Sequence, residues 1–188
     1  MQSILNWDRE LLRLINSEWH TPFLDGLLPF LRNASFWLPL YFFLVLYGVM
    51  NYKKTGWWWV IFAACTGILT NFISSNLIKE NIFRLRPCND PELADWIRII
   101  IGKHLPQSSS FTSSHATNHF GLAMFLYGTM RNDWGKYSWL VFVWAFSIVY
   151  AQMYVGVHYP LDILGGTIVG LLVGWFTSSQ FNRQFELK

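Results

Sequence analysis

Five long apolar stretches account for most of the chain, and short polar joints separate them. These stretches lie near residues 35–52, 56–78, 114–131, 135–154 and 161–180. Each approaches the roughly 20 residues with which a helix crosses a bilayer. Tryptophans such as Trp57 and Trp134 cluster near their ends, as in the aromatic belts of membrane proteins. The pattern therefore predicts an all-α fold, a polytopic helical bundle embedded in a membrane.

The first 32 residues follow a different pattern. Residues 3–18 predict a charged amphipathic helix of the kind that lies at a membrane surface. The apolar piece that follows, 21–31, contains Asp25 and is too short to cross a bilayer by itself. If residues 4–32 cross as one bent helix, the chain has six spans; if they lie on the surface, it has five. We expect about six transmembrane helices and an amphipathic N-terminal segment.

The composition supports a membrane protein and excludes other classes. The chain is 53% hydrophobic and only 13% charged, about half the usual share of charged residues in soluble proteins. Its net charge of +3 is too small to indicate nucleic-acid binding. Cys65 and Cys88 lack the spacing of metal ligands, and no carboxylate cluster has it either. We therefore predict neither a metal nor a cofactor.

One polar region, residues 79–114, is too polar for the bilayer and is predicted to be an extramembrane loop. Counting spans places it on the same face as the turn at 154–161. The lysine-bearing joints and the tail with Arg183 and Lys188 fall on the other face, which the positive-inside rule makes cytoplasmic. We predict a single domain, residues 1–188, in the bacterial inner membrane, with this loop facing the periplasm.

A histidine and an aspartate stand four residues apart where the last apolar stretch begins. Four residues is just over one helical turn, so His158 and Asp162 lie on one face and within reach of each other. Asp162 can accept a hydrogen bond from one ring nitrogen and leave the other free as a nucleophile. The structural alternative is a helix start, with Pro160 in the first turn and Asp162 near the positive end of the dipole.

The polar loop opens with two candidate phosphate ligands. Lys79 and Arg86 are seven residues apart, which predicts that both project from one helical face. A guanidinium binds two phosphate oxygens at once, and an ammonium adds a point charge. Alternatively, such cations extend to the membrane surface from helix ends, and we assign this role to Arg84.

The loop closes with Ser113, Ser114 and His115, directly before an apolar stretch. A serine hydroxyl and free backbone N–H groups at a helix N-terminus form an anion site, and His115 can protonate a leaving alkoxide. The structural alternative is a helix cap with a histidine bonded elsewhere. His119, one turn later, is a secondary candidate, and the remaining histidines have no evident partners.

These stretches resemble, in order and spacing, three motifs of the type 2 phosphatidic acid phosphatase and haloperoxidase superfamily. The first is Lys, six residues, Arg-Pro; the second is Pro-Ser-Gly-His; the third is Ser-Arg, five residues, His, three residues, Asp. The match covers roughly residues 79–166. The matching positions are Lys79, Arg86 and Pro87, then Ser113 and His115, then His158 and Asp162.

The chain departs from these motifs at four positions. Thr112 and Ser114 replace the proline and the glycine of the second motif, and Ala151 and Gln152 replace Ser-Arg in the third. Ser114 is a mild change if its backbone needs no angle that only glycine tolerates. Gln152 removes a full charge from the phosphate site and leaves a neutral donor of similar reach.

The resemblance implies a metal-free membrane lipid phosphatase. In such an enzyme His158 attacks phosphorus and forms a phosphohistidine, Asp162 fixes its tautomer, and His115 protonates the departing oxygen. The non-bridging oxygens are held by Lys79, Arg86, Ser113, the amide of Ser114 and, in place of the arginine, Gln152. The substrate reaches the site from the membrane lipids, and several lipids qualify: undecaprenyl diphosphate, phosphatidylglycerol phosphate, phosphatidate and the phosphates of lipid A.

Two other functions remain open at this point. A non-catalytic lipid-phosphate binder or transporter would keep the pocket after losing the arginine at position 152. A vanadate-dependent haloperoxidase shares the pocket, although the resemblance implies that those enzymes are soluble and larger. Retention of both histidines and Asp162 favours catalysis, because a binder needs no nucleophile.

Overall fold

The computed structural model describes residues 2–102, 105–185 and 187, so His104 and Lys188 lie outside the described residues. Within them the chain forms helices and no strands, which confirms the predicted all-α fold. The α-helices are α1 (Gln2–Arg13), α2 (Pro22–Leu31), α3 (Leu38–Phe72), α4 (Ser114–Trp134), α5 (Leu140–Tyr154) and α6 (Pro160–Gln184).

Helix α3 reverses direction at Lys53, whose φ of 49° lies in the left-handed region. The reversal separates two arms, 38–52 and 54–72, and falls in the joint at which two apolar stretches were predicted to meet. The arms approach each other closely at a pair of glycines. A Cβ on Gly56 would lie 2.0 Å from the carbonyl oxygen of Gly48, so a larger residue would force the arms apart.

Helices α4 and α6 form the most extensive helix pair of the bundle. Small residues on α6 allow this approach: a Cβ on Gly170 would lie 2.4 Å from the carbonyl oxygen of Thr117. At the head of the pair, the backbone N–H of Ser113 donates to the carbonyl of Asp162 at 3.1 Å. The close packing therefore joins the N-terminal ends of both helices, which carry the second and third motifs.

The amphipathic N-terminal helix is present, but residues 4–32 do not form one continuous bent helix. Residues 14–18 end α1 as a π-helical turn, and Thr21 caps a separate helix α2 through the N–H of Leu24. The buried side chain of Asn16 donates to the carbonyls of Arg98, in the polar loop, and Tyr154, at the end of α5. The N-terminal segment is thus fastened to the end of the bundle that carries the loop.

Large apolar side chains cover much of the outer surface of the bundle, including Phe42, Met50, Ile68 and Leu172, each more than half exposed. Among the described residues, two segments are long and apolar enough to cross a membrane: Ala34–Ile78, which includes both arms of α3, and Pro160–Gln184. The six crossings expected from the sequence are therefore not confirmed.

Candidate active site

His158 lies in the short turn between α5 and α6, where Tyr159 and Pro160 begin α6. Its Nδ1 lies 3.6 Å from Oδ2 of Asp162, and both side chains are buried. Asp162 also accepts the N–H of Tyr159 at 2.9 Å and the hydroxyl of Ser110 at 2.5 Å. The predicted pair is therefore close, with Nδ1 facing the carboxylate and Nε2 directed away from it.

Burial controls the charge of this histidine. It lowers the pKa of His158 to about 4, and the nearby positive charges of Arg86 and Lys79 act in the same direction. Asp162 opposes this shift without reversing it. His158 is therefore neutral at physiological pH, so that one ring nitrogen keeps a lone pair.

The guanidinium of Arg86 lies directly against the free ring nitrogen, with Nη1 3.1 Å from Nε2 of His158. Its orientation is fixed by the carbonyls of Ser108 and Val157, at 2.8 and 3.2 Å, and by the hydroxyl of Ser108. The N–H that now meets Nε2 is therefore in place to meet an oxygen of a phosphate that approaches the same nitrogen.

Lys79 and Arg86 do not share a helical face, so that part of the sequence argument was wrong. The π-helix Ile73–Ile78 ends at Lys79, and Arg86 has an extended backbone in the loop that follows. Both cations nevertheless lie close enough to His158 for their charges to lower its pKa. Burial lowers the pKa of Lys79 to about 8, and the charge of Arg86 contributes to this shift.

The second motif forms the N-terminus of α4, as predicted. The hydroxyl of Ser113 caps the helix by accepting the N–H of Ala116, and that of Ser114 bonds to Ser74 and Ser75. Among the described residues, no acceptor meets the backbone N–H groups of Ser114 and His115. These backbone amides are thus available to an anion, and the hydroxyl of Ser113, which accepts the N–H of Ala116, still has its own proton to donate.

The two histidines of α4 have different surroundings. The Nδ1 of His119 contacts the carbonyl of His115 at 2.8 Å, and its Nε2 contacts the hydroxyl of Tyr41 at 3.1 Å. The ring of His115 stacks on that of His119 and has no hydrogen-bond partner among the described residues. Of the two rings, that of His115 is therefore the one without a hydrogen-bond partner among the described residues.

The interpretation of Arg84 as a cation at the membrane surface was wrong. Its guanidinium bonds to Oδ1 of Asp162 at 2.7 Å and to Oδ2 of Asp8 at 2.5 Å, and it lies over the ring of Tyr159. The other oxygen of Asp8 accepts the N–H of Leu161. Arg84 and Asp8 therefore hold Asp162 in position behind His158.

Gln152 is buried, and its amide contacts a residue that the sequence analysis did not consider. Nε of Arg32, which follows the end of α2, lies 3.4 Å from Oε1 of Gln152. In return, Nε2 of Gln152 lies 3.5 Å from the carbonyl oxygen of Arg32. The third motif and the N-terminal helices thus meet at the position where the motif lacks its arginine.

The sequence contained one indication of the role of Asp8. Residues 5, 8, 12 and 15 lie on one face of a helix, and three of them are aliphatic. An aspartate within an otherwise apolar stripe indicates a buried carboxylate with a partner. No comparable pattern marks Ser110, whose contact with Asp162 depends on the path of the loop.

Comparisons with known proteins decide the family. Residues 56–186 match the model of the PAP2 superfamily, and a lipid A 4′-phosphatase of Bacteroides thetaiotaomicron is 33% identical over 171 residues, 89% of this chain and 74% of the relative. The chain belongs to the PAP2 superfamily. A lipid A 4′-phosphatase of Porphyromonas gingivalis is 29% identical over 94% of this chain and 73% of its own length.

A more distant PAP2 relative has a different substrate, and a solved structure supports the fold. The undecaprenyl-diphosphatase BcrC of Bacillus subtilis is 29% identical over 67% of this chain and 61% of its own length. A transmembrane PAP2-type phosphatidylglycerolphosphate phosphatase from Bacillus subtilis superposes with a TM-score of 0.71, covering 99% of this chain and 89% of the other, at 20% identity. The chain therefore has the fold of a PAP2 membrane phosphatase.

Proposed function

We propose that this PAP2 protein is a membrane lipid phosphatase that passes its phosphate through Nε2 of His158. The observation that carries the proposal is the opposed arrangement at this ring: Asp162 faces Nδ1 and Arg86 faces Nε2. The carboxylate keeps the proton on Nδ1, which leaves the lone pair of Nε2 for attack on phosphorus. A protein that only binds lipid phosphate has no use for a nucleophile held in this way.

The reaction then has two steps. Nε2 of His158 forms a bond to phosphorus while the ester P–O bond breaks, and His115, in its imidazolium form, gives a proton to the departing oxygen and becomes neutral. Water, deprotonated by His115, next breaks the P–N bond and releases phosphate. During both steps Arg86, Lys79 and the free amides at the start of α4 balance the charge on the equatorial oxygens.

The 4′-phosphate of lipid A is the proposed substrate. Two relatives that match 89% and 94% of the chain carry the name lipid A 4′-phosphatase. Undecaprenyl diphosphate is the second candidate, since the relative of that name matches 67% of the chain. A substrate of either kind would enter sideways from the outer leaflet of the membrane.

A phosphate-release assay on purified protein in detergent tests both the activity and the substrate. The panel contains lipid A, undecaprenyl diphosphate, phosphatidylglycerol phosphate and phosphatidate. We expect release from all of them to depend on His158, with the highest kcat/KM for lipid A. If no phosphate is released from any of these lipids, the chain is better explained as a lipid-phosphate binder or transporter. If kcat/KM is highest for undecaprenyl diphosphate, that lipid becomes the proposed substrate and the phosphatase activity still stands.

The proposed topology has five crossings, formed by residues 38–52, 54–78, 114–134, 140–154 and 160–184. The N-terminal segment stays at the site end: Asp8 bonds to the N–H of Leu161, Asn16 to the carbonyl of Tyr154, and Asp25 to the hydroxyl of Tyr154. These contacts argue against the sixth crossing. The whole chain forms one domain in the bacterial inner membrane, with its site facing the periplasm.

Cationic residues support this orientation. Five of them lie at the end of the bundle opposite to the site, where the positive-inside rule expects the cytoplasm: Lys53, Lys54, Arg131, Lys136 and Arg183. The site end also carries cations, but Lys79, Arg84 and Arg86 belong to the site itself, so the support for this orientation comes from the lysines and arginines of the short joints.

Cysteine labelling in intact cells checks the topology. In a background without Cys65 and Cys88, Ser3→Cys and Gln107→Cys should react with a membrane-impermeant maleimide. Lys54→Cys should react only after permeabilisation, because it lies at the reversal of α3 on the cytoplasmic side. All three positions are exposed, so accessibility within the protein is matched. Protection of Ser3→Cys until permeabilisation would restore the six-span topology.

The pH dependence of kcat/KM should reveal Lys79. With a pKa of about 8 in the free protein, its ammonium is present below that pH and is lost as the pH rises through it. We therefore expect kcat/KM to fall above about pH 8. Lys79→Arg should move this alkaline limb to higher pH, because arginine stays protonated. The same substrate serves both proteins, so an unmoved limb would assign the titration to another group.

A further inference from the structure

We propose that Arg32 is a phosphate ligand that restores to the active site the positive charge missing at position 152. This inference rests on the proposed phosphatase function and adds a residue to its site. The residue comes from the N-terminal segment, outside all three motifs and outside the matched family region, residues 56–186. The end of α2 would then contribute a ligand to the active site, in addition to the contact of Asp25 with Arg98 in the polar loop.

The first argument is geometric. Gln152 is only 1% exposed, and its two amide atoms contact both ends of Arg32: Oε1 faces the guanidinium Nε and Nε2 faces the carbonyl oxygen. A glutamine at this position therefore replaces the charge of an arginine with an acceptor that orients another arginine. Because only Nε meets Gln152, the terminal nitrogens of Arg32 remain available to a second acceptor.

The second argument concerns charge. Among residues 2–102, 105–185 and 187, no carboxylate lies within 4 Å of the guanidinium of Arg32 or of Arg86. Arg84 and Arg98, by contrast, are paired with aspartates. Two partly buried arginines that are not paired with a carboxylate leave uncompensated positive charge, and a bound anion would neutralise it.

The charges of Arg32 and Arg86 act on each other. Burial lowers the pKa of Arg86, and the positive charge of Arg32 lowers it further. Burial likewise lowers the pKa of Arg32. Arg32 is thus a partly desolvated cation whose charge acts on Arg86. Val157 links their partners: its N–H donates to the carbonyl oxygen of Gln152 at 3.1 Å, and its own carbonyl oxygen accepts from Nη1 of Arg86 at 3.2 Å. A phosphate between them would compensate the desolvation of both.

The test moves the charge between the two positions. Arg32→Gln removes the charge but keeps donors, and Arg32→Gln with Gln152→Arg returns a charge at the family position. Arg131→Gln, an exposed arginine at the opposite end, is the matched control. Two quantities are measured for each: kcat/KM on the best lipid phosphate, and the rise in melting temperature caused by orthovanadate, a mimic of the transferring phosphoryl group.

We expect Arg32→Gln to lower kcat/KM by about 10² to 10³, the usual cost of removing a well-placed donor, and to weaken vanadate stabilisation. The kcat/KM of the double variant should exceed that of Arg32→Gln by at least about tenfold, and Arg131→Gln should match the wild type. Recovery by a second substitution separates loss of charge from loss of folding. Wild-type values for Arg32→Gln, or no recovery in the double variant, would overturn the proposal.

Vanadate binding needs no turnover, so it separates this inference from the proposed function. If the wild type binds vanadate through Arg32 but releases no phosphate, the phosphatase proposal fails while the ligand assignment stands. If the wild type releases phosphate and Arg32→Gln does so equally well, the function stands and the ligand assignment fails. A wild type that neither binds vanadate nor releases phosphate would refute both.

Discussion

His158→Ala is expected to reduce phosphate release to the uncatalysed background. The other nearby ring nitrogens belong to His115, which is needed as the acid, and to His119, whose two nitrogens are both engaged. Neither can replace a nucleophile that is oriented by Asp162 and faced by Arg86. His20→Ala is the matched control, because His20 is an exposed histidine remote from Asp162.

Trapping the intermediate tests the same assignment independently of rates. Brief reaction with a lipid phosphate labelled in its phosphorus, followed by alkaline quenching, should leave label on His158 in the wild type and in His20→Ala. His158→Ala should carry none while keeping the melting temperature of the wild type within a few degrees. Label on another residue, or residual turnover in His158→Ala, would contradict the nucleophile assignment.

Local spacing explains which parts of the site the sequence could predict. His158 and Asp162 are four residues apart, and this spacing predicted their proximity; His158 precedes the N-cap Tyr159, however, and Asp162 reaches it by folding back to accept the N–H of Tyr159 at 2.9 Å. The capping role of Ser113 follows in the same way from its place before an apolar helix. The all-α fold follows from five apolar stretches of suitable length.

Contacts between distant segments could not be derived from spacing. Arg84 meets Asp8, 76 residues earlier, and Asp162, 78 residues later, so its role depends on how α1 packs against α6. Lys79 and Arg86 come together by a change of backbone direction at the end of a π-helix, where the sequence suggested a continued helix. In both cases tertiary packing decides which cation serves the phosphate and which serves the carboxylate.

The number of crossings could not be read from the sequence for a related reason. An apolar piece of ten residues following an amphipathic helix reads equally well as half of a bent span or as a surface element. The proposed five-crossing topology rests on the polar partners of Asp8, Asn16 and Asp25, which all lie at the site end of the bundle. Two of those partners are backbone groups, which no side-chain pattern reveals.

Arg86→Ala is expected to lower kcat/KM by at least about 10² to 10³ on every substrate. The side chain carries the charge nearest to Nε2 of His158, and its removal also leaves the carbonyls of Ser108 and Val157 without their donor. Gln152→Ala should be clearly milder, because Gln152 contributes no charge and acts by orienting Arg32. Gln107→Ala, an exposed loop glutamine, controls for the loss of an amide.

Measuring kcat/KM for these variants and for Gln152→Arg on two different lipid phosphates decides what Gln152 does. If it only orients Arg32, Gln152→Ala and Gln152→Arg change both substrates by the same factor. If it contacts a particular head group, Gln152→Arg shifts the preference between the substrates more than the rate on either. If Gln152→Ala lowers kcat/KM as much as Arg86→Ala on both substrates, Gln152 is a primary phosphate ligand despite its neutrality. The expectation that Arg86 contributes more than Gln152 to phosphate binding would then be wrong.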